Sequence, residues 1–311
     1  LVSRAVRILK NERLVNPRPH IGIEVCSGDH LLWKGQVLII VPCGTIEYLA
    51  VVGDVLRDGL TSAGYLPHTA TAPHNEDGTY DFSLLDLMLR QQFDAVVQLH
   101  DQVEISGYLA AKNVPFVRFT QLKPKAYKTC LATVMRKTDE ATAAFAAFCR
   151  KKRVKSVLQV SMDSKRSVDV RKTLAATGID VQEWKTVERG GRHLPGQAVA
   201  RAAADAFKAR LAAEGCRWLP DVLFFQDDYL AMGALTALQA AGVRIPEDVG
   251  VVTWANVNCG CGPVYVKPLT RMEINAAADG AHLAEIVLEG LRTGKYRPGE
   301  VAPVFVRGET F

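Results

Sequence analysis

From about residue 35 onward, short apolar runs alternate with longer amphipathic stretches. Runs such as Val37 to Pro42 and Val222 to Phe225 are strand-sized and apolar throughout, the pattern of strands covered on both faces. This spacing predicts strands at 37–42, 65–71, 94–99, 115–119, 129–134, 155–160, 180–186, 221–226, 249–254 and 270–274. It predicts helices at 46–63, 81–92, 102–112, 138–152, 164–177, 196–214, 228–242 and 276–293. Gly64, Gly178, Gly215, Gly242 and Gly294 follow helical stretches as stop signals. Apolar strands joined by helical crossovers imply parallel sheets covered on both faces. Ten strands suit two such sheets better than one.

The first 25 residues have a different rhythm. Val2, Ala5, Val6 and Leu9 form a helical apolar stripe, with Arg4, Arg7 and Lys10 on the other side. The helix is expected over 2–13. Residues 14–16 and 21–25 read as strands of a hairpin tipped by Pro17-Arg18-Pro19-His20. This segment is too short to bury a core by itself.

Composition narrows the class. The 311 residues are 48% hydrophobic, 23% charged and 7% aromatic, which excludes a disordered or collagen-like chain. No apolar run reaches the roughly 18–20 residues of a membrane helix, and no signal-peptide pattern opens the chain. The net charge of +5 is unevenly spread. In residues 1–20, Arg4, Arg7, Lys10, Arg13 and Arg18 face Glu12 alone. Such asymmetry fits a nucleic-acid contact or a solvated basic helix.

The seven cysteines, Cys26, Cys43, Cys130, Cys149, Cys216, Cys259 and Cys261, form no C-x-x-C pair. They are expected as reduced thiols in the cytoplasm, and Cys259-Gly-Cys261 as a loop. No metal or cofactor is expected. Nor is an enzyme: nucleophile-elbow, zincin, P-loop and dinucleotide-binding motifs are all missing from the sequence.

Several motifs resemble one family. Val222-Leu-Phe-Phe-Gln-Asp-Asp-Tyr-Leu-Ala-Met-Gly-Ala, continuing through Ala241-Gly-Val-Arg-Ile-Pro-Glu-Asp-Val-Gly-Val-Val252, resembles the effector domain of LacI/GalR repressors. Val41-Pro42, Pro268-Leu-Thr270 and Val304-Phe-Val-Arg-Gly-Glu-Thr310 are similar to other motifs of that family. The resemblance spans residues 35–311. It implies an α/β fold of two Rossmann-like lobes with parallel sheets, the periplasmic-binding-protein type I architecture. It further implies an N-terminal lobe of 35–152 and 268–295, and a C-terminal lobe of 153–267 and 296–311. Crossings would fall near 152, 267 and 296.

Val2-Ser-Arg-Ala-Val-Arg-Ile-Leu9 and Arg13 to Val25 resemble the recognition helix and wing of a GntR-type winged helix, although Arg13 stands where that family has Gly. Residues 1–26 would then be a winged-helix remnant and 27–34 a linker, with the chain starting inside the DNA-binding domain. Ser3, Arg4 and Arg7 would face the major groove, and Arg18 and His20 phosphate or the minor groove.

The implied function is a dimeric, DNA-binding transcription regulator of a family of repressors, whose partners are an operator and a small effector, expected to be a sugar. A solute-binding protein of a transport system is the alternative. Sugar hydroxyls need directed hydrogen bonds, and such groups collect at carboxyl ends of strands. The resemblance points to Thr45 and Tyr48 after the first strand, although Tyr48 reads equally as core. His100 and Asp101 end the third strand run. Asp139 is either a polar contact or a helix cap. Arg166 matches the family's effector arginine, but Asp169 replaces a usual Gly. Asp227 matches an Asn/Asp at a strand end, leaving Asp228 to cap the next helix. Trp254 and Asn256 close the set, since Ala255-Asn256 replaces the family's acidic pair.

Overall fold

A computed structural model describes residues 2–12, 14–18, 22–25, 33–42, 47–75, 77–99, 102–120, 125–162, 170–187, 194–257 and 267–311. The N-terminal stretch forms helix α1 (Val2–Asn11) and an antiparallel hairpin of β1 (Val15–Arg18) and β2 (Gly22–Val25). Pro17 and Arg18, expected at the tip, belong to β1 and pair with Ile23 and Gly22. Proline is tolerated because both strands of a two-stranded ribbon are edges that leave N–H groups unpaired.

The rest divides into two units. The first is Leu1–Met135 with Ala277–Gly299, and the second is Arg136–Ala276 with Glu300–Phe311. The crossings thus fall after Met135, Ala276 and Gly299, whereas the sequence places them near 152, 267 and 296. The first displacement has a clear cause. Helix α5 (Asp139–Lys151) buries Ala141, Phe145 and Cys149 against Val157, Phe224 and Val252 of the second unit.

In the first unit, β3 (Gly35–Val41), β4 (Tyr65–Thr71), β5 (Ala95–Leu99), β6 (Phe116–Thr120), β7 (Cys130–Arg136) and β13 (Gly299–Val301) make a sheet ordered β13-β7-β6-β5-β3-β4. Strands β3 to β7 pair in parallel. Their connections carry α2 (Glu47–Ser62), α3 (Ser83–Leu89) and α4 (Val103–Ala111), and α9 (Ala276–Thr293) joins later. One face packs Leu38, Ile40, Val96 and Phe116 against Leu85, Ile105 and Leu109. Each such side chain stabilises by about 1.5–3 kcal/mol on burial.

In the second unit, β8 (Ser156–Met162), β9 (Asp180–Val187), β10 (Val222–Phe225), β11 (Gly250–Asn256), β12 (Thr270–Ile274) and β14 (Val304–Val306) are ordered β14-β12-β11-β10-β8-β9. Strand β14 runs antiparallel to β12; the others pair in parallel. Helices α7 (Gly196–Glu214) and α8 (Asp228–Ala240) cover one face, where Val199, Ala203 and Phe207 meet Leu223, Phe225 and Leu235. Helices α5 and α6 (Arg171–Ala175) cover the other. Helix α6 begins after its N-cap Val170 and ends at Ala175, inside the expected 164–177; residues 163–169 lie outside the described residues.

All ten expected strands are present, with ends shifted by at most two residues. Gly64 after α2 has φ +87° and Gly242 after α8 has φ +73°, the left-handed caps that side chains with a Cβ resist. Both sheets share one winding. After β3 the chain moves outward to β4 and returns on the other side of β3 to form β5; after β8 it moves outward to β9 and returns to form β10. Such a reversal opens a crevice at the carboxyl ends of the two strands involved, where open α/β sheets bind ligands. The fold therefore nominates one place in each unit: beyond β3 and β5, and beyond β8 and β10.

Candidate functional site

Thr45, His100, Asp101, Arg166 and His20 lie outside the described residues. The other expected site residues can be placed.

In the first unit, Tyr48 occupies the first turn of α2 and is buried. Its hydroxyl donates to Asp279 in the first turn of α9, and its ring centroid lies 6.2 Å from that of Phe119. The core reading left open for Tyr48 is the one its surroundings match. Asp139 is exposed in the first turn of α5, where Thr138 holds the cap position. A carboxylate there also complements the helix dipole.

In the second unit, Asp227 is the N-cap of α8, accepting from the Tyr229 N–H at 2.9 Å. The sequence assigned that cap to Asp228, which instead begins the helix. Asp227 is the residue with extended backbone, at φ −155° and ψ 141°, and that conformation lets a cap side chain fold back. Asn256 ends β11, and its Oδ1 accepts from Val257 N–H at 3.1 Å and Ala276 N–H at 3.2 Å. It joins the end of β11 to the start of α9. Trp254 is a core side chain, packed with Phe145, Phe224 and Met272, and its Nε1 has no hydrogen-bond partner.

Two polar groupings escaped the sequence reading. Under α4 in the first unit, Ser106 Oγ donates to Gln98 Oε1 at 2.7 Å, and Gln98 Nε2 donates to the Gln102 carbonyl at 2.9 Å. Arg118 reaches Ser106 Oγ at 3.5 Å and the Lys125 carbonyl at 3.1 Å. All four side chains, Gln98, Gln102, Ser106 and Arg118, are buried. In the second unit, Glu183 on β9 accepts from Ser161 Oγ at 2.8 Å and from Arg171 Nη1 at 3.0 Å. Beside them Gln159 is fully buried, with neither amide atom hydrogen-bonded. The available signal was a polar residue interrupting an apolar strand run: Gln98, Arg118, Gln159 and Ser161 each do so.

Among the described residues, no three His, Cys, Asp or Glu side chains converge as a metal site. No helix there is long and apolar enough to cross a membrane. Cys130, Cys149 and Cys216 are free thiols. On α1, Ser3, Arg4, Arg7 and Lys10 are exposed. So are Val2, Ile8 and Leu9, which belong to or flank its apolar stripe.

The two sheets share one winding, and Gln98 and Ser161 lie near the carboxyl ends of β5 and β8, strands that border the two reversals. Residues 136–311 match the family described as periplasmic binding protein-like domain. The chain belongs to that family. Curated relatives of this periplasmic binding protein-like chain include the HTH-type transcriptional repressor PurR of Haemophilus influenzae (strain PittEE), 32% identical over 71 residues, or 23% of this chain and 20% of the relative. The sucrose operon repressor of Shigella flexneri is 36% identical over 75 residues, 24% of this chain and 22% of the relative. The chain therefore spans about a fifth of the length of these curated relatives. Among solved structures, a LacI family transcriptional regulator from Arthrobacter sp. FB24 in complex with lactose superposes with TM-score 0.67 at 18% identity, covering 89% of this chain and 98% of that one. A LacI family regulator from Enterococcus faecalis V583 with bound ribose gives 0.66 at 19%, covering 88% and 98%. At such identities the likeness is one of fold.

Proposed function

We propose that the protein is a DNA-binding transcription regulator of the LacI/GalR type, in which the periplasmic binding protein-like part senses a small effector, a sugar in the first instance. The reading rests chiefly on one observation. A helix with exposed Ser3, Arg4, Arg7 and Lys10 is followed by an antiparallel hairpin, directly before a sensor fold. The repressor relatives and the sugar-bound neighbours point the same way. A free solute-binding protein has no use for a basic helix of this kind.

In this reading α1 enters the major groove in the manner of a GntR-type recognition helix, and the hairpin is the wing. Arg18 and His20 contact phosphate or the minor groove. The working form is a cytoplasmic homodimer that binds and does not turn over its ligand. Effector binding at the carboxyl ends of the strands favours one lobe arrangement. It changes operator affinity only by its differential affinity for the two arrangements. Thr45, His100, Asp101, Arg166, Asp227 and Asn256 stay candidates for effector contact.

Fluorescence anisotropy against fragments of the native genome tests the proposal. The expected result is salt-sensitive binding with selection of one sequence. Arg7→Ala should relax selectivity by about 1–3 kcal/mol at one base pair. Arg18→Ala should weaken all sequences about equally. Binding no tighter to any fragment than to random DNA would overturn the reading.

A further inference from the structure

The polar cluster beneath α4 contains a charge that no carboxylate among the described residues balances. Arg118 is only 4% exposed. Among the described residues its acceptors, the Ser106 hydroxyl and the Lys125 carbonyl, are neutral, and Nε has no acceptor there. A guanidinium is a permanent cation in proteins, and burying one without a counter-charge is costly. No carboxylate pairs with it among the described residues.

A second cation stands beside it. The Lys125 ammonium lies 5.6 Å from the centroid of the Tyr127 ring, and the Arg118 guanidinium 5.9 Å from the same centroid. Tyr127 is anchored through its hydroxyl, which donates to the Val103 carbonyl at the start of α4 at 3.3 Å. The ring face attracts both cations but cannot neutralise them. The stretch from Arg118 to Thr129 carries Arg118, Lys123, Lys125 and Lys128 and no Asp or Glu. Gln98 and Gln102 place this cluster at the carboxyl end of β5, one of the two strands that border the first unit's crevice.

We propose that this cluster is an anion subsite, and that the effector carries a phosphate or carboxylate group received by Arg118 and Lys125. The inference rests on the sensor reading above and names the class of its ligand: a sugar phosphate or sugar acid in place of a neutral sugar. An Arg fork with an unpaired Nε–H, next to an exposed ammonium, suits charge-assisted bonds to either oxyanion. If Arg118 served only to tie down the Lys125 carbonyl, an uncharged donor would do so without a buried charge.

The test is thermal unfolding of the whole protein at constant ionic strength in chloride, inorganic phosphate, glucose, gluconate and glucose 6-phosphate. Arg118→Met and Lys125→Glu are run in parallel. Lys125 is exposed, so its variant keeps the fold even if Arg118→Met does not. Inorganic phosphate is expected to raise the midpoint by several degrees over chloride, and Lys125→Glu to abolish that rise. A larger shift with glucose 6-phosphate than with gluconate assigns a phosphate ligand, and the reverse a carboxylate. Equal midpoints in phosphate and chloride would overturn the subsite, as would a rise that survives Lys125→Glu. Neutral glucose matching both anionic sugars would also overturn it while leaving sugar sensing intact. DNA binding, measured separately, does not depend on any of these outcomes.

Discussion

The Tyr48 hydroxyl donates to Asp279 across 231 residues of sequence, joining the first turn of α2 to the first turn of α9. Both side chains are buried. The bond ties a helix from the start of the first unit to one that returns from the second.

Tyr48→Phe keeps the ring against Phe119 and removes only the donor. A buried carboxylate that loses a partner costs about 1–3 kcal/mol, so urea unfolding should show a loss in that range. A change below about 0.5 kcal/mol would mean that Asp279 is satisfied without Tyr48. If Tyr48 instead serves the effector, stability would hold and ligand stabilisation would fall.

Asp227 permits a cleaner separation of cap from contact. Asp227→Ala removes the acceptor of the Tyr229 N–H and should cost about 1 kcal/mol. Asp227→Ser restores a cap and should recover most of it. Ligand-induced stabilisation measured on both variants then isolates any effector role. A serine variant that is stable but unresponsive assigns Asp227 to the ligand; one that is stable and responsive makes it a cap alone.

The contrast between Asp227 and Asp228 shows where sequence reasoning reached its limit. Apolar runs and glycine stops located strands and helices closely because burial on both faces of a parallel sheet leaves a plain signal. Whether the first or second of two adjacent aspartates turns extended depends on backbone geometry at the strand end, which periodicity does not record. The same applies to α5. Its amphipathic pattern predicted a helix, but only packing of Phe145 on Phe224 assigns that helix to the second unit. Arg118 and Gln98 were visible as polar interruptions of apolar strands, yet their convergence with Ser106 depends on α4 lying across β5 and β6. Thr45, His100, Asp101 and Arg166 lie outside the described residues, and for them sequence order alone carries the least geometric information.

Cys149 offers a pH-dependent check on the second unit's core. Burial pushes its thiol up to about 12, because the thiolate has lost its water. The folded state thus holds this proton where an unfolded thiol, ordinarily near 8.5, has released it. The contribution of Cys149 is therefore intact below about 8.5 and is lost as pH rises from there toward about 12. Peptide mapping after thiol alkylation at pH 8 should find exposed Cys216 modified and Cys149 protected until denaturant is added. Equal modification of the two in the native protein would show that α5 does not seal Cys149.

Two glycines in helices predict opposite signs for one substitution. Replacing glycine by alanine inside a helix gains about 0.5–1 kcal/mol from backbone entropy and propensity alone. At Gly107 in α4, an added Cβ would meet nothing nearer than the Tyr127 hydroxyl at 3.7 Å, an ordinary contact. Gly107→Ala should therefore stabilise by roughly that amount. At Gly233 in α8, the Cβ would sit 1.9 Å from the Ala200 carbonyl oxygen and 3.0 Å from Ala204 N, both backbone atoms of α7. Neither can swing aside, so α7 and α8 must separate. Overpacking of this kind costs about 1–3 kcal/mol or more, which exceeds the propensity gain. Gly233→Ala should lower the unfolding midpoint while Gly107→Ala raises it. Equal and positive shifts would mean that α7 and α8 are not in backbone contact at this point, and would contradict the register on which the second unit's core depends.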